Sequence, residues 1–146
     1  MLGRGVIVDL NIEELIPHRG RMKLLDEIIE VTKDTAITAS KVTEQWPLFE
    51  QGSVSTIVLI ELVAQTAGVC LGLRELKKRG KSSEGKGWLV GIKDAVFFCD
   101  RIPCTSRIIT DSTNIFDFEN YHEVMGISRV EDAVIGKVSL QVVQSG

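Results

Sequence analysis

Cysteine is scarce in this chain: Cys70, Cys99 and Cys104 are the only three in 146 residues. An odd, sparse set argues against a disulfide framework and fits a reducing, cytoplasmic compartment. Cys99 and Cys104 form one C-x4-C pair without a second. A closed zinc site wants four ligands, so buried thiols are the simpler reading and no metal is expected. Positive charge is not in surplus either. The net charge is −3, which gives no global basic field for nucleic acid. There is no GxGxxG or P-loop pattern, and none of Ser53, Ser55 and Ser106 sits in a visible His/Asp constellation. No cofactor is therefore expected. Internal repeats, low-complexity tracts and long linkers are also missing. The N-terminus MLGRGVIVDLNIEELIP has no continuous apolar h-region or small-residue cleavage site, so it reads as mature sequence.

What remains is ordinary for a globular protein: 44% apolar and 25% charged residues, on a length that suits one domain, 1–146. The run from 54 to 73 is 20 residues of largely apolar sequence, about long enough to span a bilayer. Glu61 and Gln65 interrupt it, and a carboxylate in lipid is costly. A core helix is the better reading, with Ser53 or Ser55 as N-cap and Gly80 as a stop.

Strand-like sequence surrounds this helix. Asn11–Ile16 reads as a short helical turn, capped by Asp9 or Asn11 and limited by Pro17. Residues 24–31 and 35–42 read as a hairpin, and 44–53 as a loop. After an exposed loop over 81–87 come strands at 88–98, 107–116, 122–130 and 133–143, with a turn at 101–106 around Pro103. In the last strand Val134, Gly136, Val138, Leu140 and Val142 alternate with wetter positions. One long helix, apolar on almost all sides, must be wrapped. An antiparallel sheet curling around it is the economical α+β solution.

Glu61 and Gln65 are spaced i, i+4 and share a helix face. Burial disfavours a charged carboxylate, so the pKa of Glu61 should rise and suit it to general acid work. The structural alternative is a Glu paired with a backbone group, with Gln65, or at a subunit interface. His18, in IPHRGRMKLL, has the ordinary role of packing and hydrogen bonding in a turn, against that of a base near neutral pH. His122 should lie at a strand start, exposed. Lys77, Lys78, Arg79, Lys81 and Lys86 form a basic cluster, either a solvated helix end or a landing patch for an acidic carrier protein or phosphate-bearing ligand.

Three stretches carry a likeness to a known family: IEELIPHRGRMKLLDEIIEV (12–31), VLIELVAQTAG (58–68) and GWLVGIKDAVF (87–97). The chain resembles the hotdog-fold 3-hydroxyacyl-ACP dehydratases, and within them the divergent branch associated with aryl polyene synthesis, where AQTxGV follows the helix Glu. The resemblance implies a sheet wrapped on one long helix. It implies a homodimer or hotdog heterodimer with sites at the interface, and an acyl thioester of carrier protein or CoA as substrate. Glu61 falls on the family's helix acid and Gln65 on its supporting Gln. The loop His of the common dehydratases, fourteen residues before that Glu, falls on Pro47. His18 is then the candidate base. The Gly whose N–H meets the thioester falls on Thr56, and Pro47 and Phe49 join Thr56 as candidate substrate-binding residues. An acyl thioesterase, with Glu61 activating water, and a non-catalytic acyl-binding subunit are the alternatives.

Overall fold

Asn11 caps the first helix, its Oδ1 accepting the Glu13 N–H at 3.0 Å. This computed structural model describes residues 11–16, 18–79 and 88–144. The proposed Asp9 cap, Pro17, Gly80, the loop over 81–87 and the N-terminal reading lie outside the described residues. Helix α1 (Ile12–Leu15) is followed by a 3-10 turn, Gly20–Met22. Strands β1 (Glu27–Val31) and β2 (Thr35–Lys41) pair as the expected hairpin. Its link lacks an Asn-Gly signal, and Thr32 does the work instead. The Thr32 hydroxyl accepts the N–H groups of Asp34 and Thr35.

The segment 44–53 is not a plain loop. It holds β3 (Phe49–Glu50), which pairs with β4 (Ser53–Ser55) across Gln51 and Gly52. Both turn residues have positive φ, 51° and 85°, as a type I′ hairpin requires. Helix α2 therefore starts later than the apolar run, at Val58, and extends to Arg79. Ser55 Oγ accepts the Ile57 N–H at 3.2 Å, one residue ahead of the helix. Beyond α2 lie β5 (Trp88–Phe97), β6 (Arg101–Pro103), β7 (Arg107–Phe118), β8 (Tyr121–Val130) and β9 (Ala133–Gln144). The region around Pro103 is thus a short strand that pairs with β4, and the three form a small second sheet in the order β3-β4-β6.

The main sheet runs β1-β2-β7-β8-β9-β5, and every described pairing is antiparallel. Its inner face wraps α2. Leu15, Leu24, Leu25, Leu59, Leu62, Ile102 and Ile108 are fully buried between the layers, each contributing roughly 1.5–3 kcal/mol. Small residues line the sheet where the helix lies closest. A Cβ on Gly126 would fall 2.4 Å from the Val63 side chain. The expected alternation holds in β9 from Gly136 to Val142. It fails at the start, where Ile135 is buried, because the register slips between Ser128 and Arg129. Among the described residues, no helix is long and apolar enough to cross a membrane.

Candidate active site

Glu61 sits in the first turn of α2, where the helix dipole favours a negative charge. Its side chain is 39% exposed. Gln65, one turn on, is fully buried. The Gln65 amide is a clamp. Its Oε1 accepts the Leu24 N–H at 2.9 Å, and its Nε2 donates to the Met22 carbonyl at 2.7 Å and to Glu61 Oε2 at 2.9 Å. The helix is thereby tied to the segment that carries His18. That segment folds back so that His18 Nε2 lies 3.0 Å from the same Glu61 Oε2. Arg19 holds the fold-back, donating to the carbonyls of Ile16, His18 and Glu13 at 2.8 Å each. Arg19 had no role in the sequence reading beyond its place in PHR. Nothing in its neighbourhood signals that it would close a loop on itself.

The expected direction of the Glu61 pKa is overturned. The hydrogen bond from His18 lowers it, partial burial raises it, and the bond from Gln65 lowers it again. The donors win, and Glu61 titrates below its ordinary value. Burial alone would have pushed the other way, but a half-exposed carboxylate with two donors is solvated by the protein.

The remaining candidates are less closely joined. Thr56 is buried, and both its N–H and its hydroxyl turn to the Asp100 carbonyl, at 3.4 and 3.5 Å. Its amide is therefore engaged within the chain. Phe49 packs on the core from the β3 hairpin, and Pro47 lies half-buried before it, between buried Trp46 and exposed Leu48. His122 is buried at 4% exposure, not exposed as expected. Its Nδ1 lies 2.6 Å from Asp117 and its Nε2 3.0 Å from the Gln144 side-chain oxygen. Of the basic cluster, Lys77 and Lys78 are exposed at the end of α2. Lys81, Lys86 and the Arg79 side chain lie outside the described residues. Among the described residues, no three His, Cys, Asp or Glu side chains gather as a metal site would need. A hollow of about 650 Å³ lined by Cys104, Arg107, Val130 and Asp132 includes none of the His18, Glu61 and Gln65 cluster.

A helix wrapped by one antiparallel sheet, with a carboxylate near the helix start, defines a hotdog-fold protein. Residues 10–145 match the model of the ApeP-like family, described as ApeP dehydratase, and the chain belongs to that family. It is similar to the 3-hydroxyacyl-[acyl-carrier-protein] dehydratase FabZ of Streptococcus sanguinis, 35% identical over 127 residues, covering 82% of this chain and 90% of that one. The FabZ of Streptococcus pneumoniae serotype 4 is 37% identical over 75 residues, about half of each chain (48% and 53%). Among solved structures, the dehydratase heterocomplex ApeI:P from Xenorhabdus doucetiae superposes with a TM-score of 0.81 at 19% identity, covering 94% of this chain and 92% of that one.

Proposed function

We propose that this chain eliminates water from a 3-hydroxyacyl thioester carried by an acyl carrier protein, with Glu61 as the reacting carboxylate. One observation carries the reading: in a chain of a dehydratase family, Glu61 is pinned by Gln65 and His18 at the start of an apolar helix. The FabZ relatives bear the same reaction in their names.

The working form is a pair of hotdog subunits. Strand β5 is the edge of the six-stranded sheet, and its ten-residue outer ladder has no partner within the described chain. Val90 and Ile92 share the face of buried Val142 and Leu140, yet Ile92 is 56% exposed. A long apolar edge is a template for another strand. The ApeI:P neighbour is a heterocomplex, which supports a second, different hotdog chain as partner.

The test is turnover of 3-hydroxyacyl and saturated acyl thioesters, on carrier protein and on CoA, by the chain alone and with a co-expressed hotdog partner. Enoyl product should form and should fall by about 100-fold or more in Glu61→Gln. Free thiol from the saturated substrate would instead mark a thioesterase. Saturable acyl binding without either product would mark a binding subunit. Ile92→Lys should abolish pairing, read by light scattering, while leaving the circular dichroism of the fold in place. Undiminished pairing would exclude β5 as the joint.

A further inference from the structure

Glu61 presents its two oxygens differently. Oε2 receives both donors, Gln65 Nε2 at 2.9 Å and His18 Nε2 at 3.0 Å. Among the described residues, no donor reaches Oε1. His18 is equally lopsided. With Nε2 against a carboxylate oxygen, that nitrogen must carry the hydrogen. Its other nitrogen, Nδ1, is sealed from solvent and, among the described residues, has no hydrogen-bond partner. A base needs an accessible lone pair, and His18 offers none: one nitrogen is occupied as a donor and the other is enclosed. The other charged groups of the same segment look elsewhere, since Glu13 pairs with Lys23 and Arg19.

We infer that His18 is a positioning residue that donates to Glu61, and that Glu61 Oε1 alone moves the proton in the elimination. This inference rests on the dehydration reading above. Oε1 takes the C2 proton, and the C2–H electron pair passes into the thioester as an enolate. That pair then closes the C2=C3 bond while the C3–O bond breaks. The proton held on Oε1 passes to the departing hydroxyl, which leaves as water. Glu61 ends as it began, ionised, and no further reactant is needed. The two donors on Oε2 keep the carboxylate ready and aim Oε1 outward. Acid and base work are then both done by one group, so a chain with Pro47 where a loop His is usual loses no necessary residue.

The experiment compares His18→Leu, which removes the donor, with His18→Gln, which replaces an imidazole N–H by an amide N–H. Two readouts are needed: the pH profile of kcat/KM, and the Glu61 carboxyl titration followed by 13C NMR in the full chain. In His18→Leu the Glu61 midpoint should move up, the acid limb of the profile should move up with it, and kcat/KM should fall by about 100-fold. His18→Gln should restore most of the rate and most of the downward shift. If His18→Gln is as inactive as His18→Leu while Glu61 titrates as in the parent, His18 itself moves the proton and the inference is overturned. An unchanged Glu61 midpoint in His18→Leu overturns it as well, and needs no turnover to be seen. If the parent chain with its partner eliminates no water, the dehydration reading fails and the Oε1 step falls with it.

Discussion

Gln65 shows how much one side chain can hold. It is fully buried, and its amide bonds Leu24 N–H, the Met22 carbonyl and Glu61 at once. Gln65→Leu would keep the volume roughly but strand a buried N–H and a carbonyl, at a cost of about 2–4 kcal/mol. At roughly 2–4 °C per kcal/mol for a domain of this size, the thermal midpoint should drop by about 5–15 °C. The same variant should raise the Glu61 titration midpoint, since one of its two donors is gone. A drop of less than about 2 °C would mean the clamp carries no weight. The i, i+4 spacing made the Glu61–Gln65 pair legible in the sequence, because helix geometry alone brings such residues together. His18 against Glu61 was not legible in that way. It depends on a loop folding back under Arg19, and no local pattern encodes that contact. The direction of the Glu61 pKa was lost for the same reason: burial can be read from apolar neighbours, while donors arriving from elsewhere in the chain cannot.

Among the elements, α1 is only four residues long, yet it aims the segment that bears His18. It does so by lying directly on α2. A Cβ on Gly72 would fall 2.1 Å from the Leu15 carbonyl oxygen, and one on Gly68 would fall 2.9 Å from the Ile16 side chain. Gly72→Ala should therefore push α1 off the helix, at an overpacking cost of about 1–3 kcal/mol. Hydrogen exchange should speed up over 11–16 while β7, β8 and β9 stay protected, and Glu61 should titrate higher as His18 withdraws. Uniform exchange across the chain would argue for global destabilisation instead. The long elements were readable because they are long: α2 by its apolar run, and β9 by its alternation. Strands β3, β4 and β6 are two or three residues each, too short for any period to show. The bulge in β7 was equally hidden. Asn114 faces Val124 but Phe116 faces Glu123, so Ile115 is an extra residue that flips the strand's parity. That flip is what turns Asp117 toward His122.

At the scale of the whole molecule, Asp117 belongs to a clasp that joins the far end of the helix to both halves of the sheet. Arg74 of α2 donates to Asp34 in the β1–β2 turn at 2.9 Å and to Asp117 of β7 at 3.1 Å. It also donates to the Lys33 carbonyl at 2.9 Å. Asp117 accepts from Asn114 at 2.8 Å and meets His122 of β8, which reaches Gln144 at the end of β9. Partial burial pushes the Asp117 carboxyl up, but the bonds from His122, Arg74 and Asn114 outweigh it and bring it down to about 2, from an ordinary 3.8. A carboxyl lowered by folding stabilises the fold at pH above its unfolded value and stops doing so as pH falls through its folded value. The clasp is thus complete above about pH 4 and lost toward pH 2. Asp117 is partly exposed, so solvent screening leaves it on the order of 1 kcal/mol. Urea denaturation of Asp117→Asn beside the parent should show the variant less stable by about that amount at pH 7, with the gap closing between pH 4 and pH 2. A gap that stays constant over this range would mean that Asp117 acts through its shape alone, and that its charge does not hold the sheet's ends to the helix.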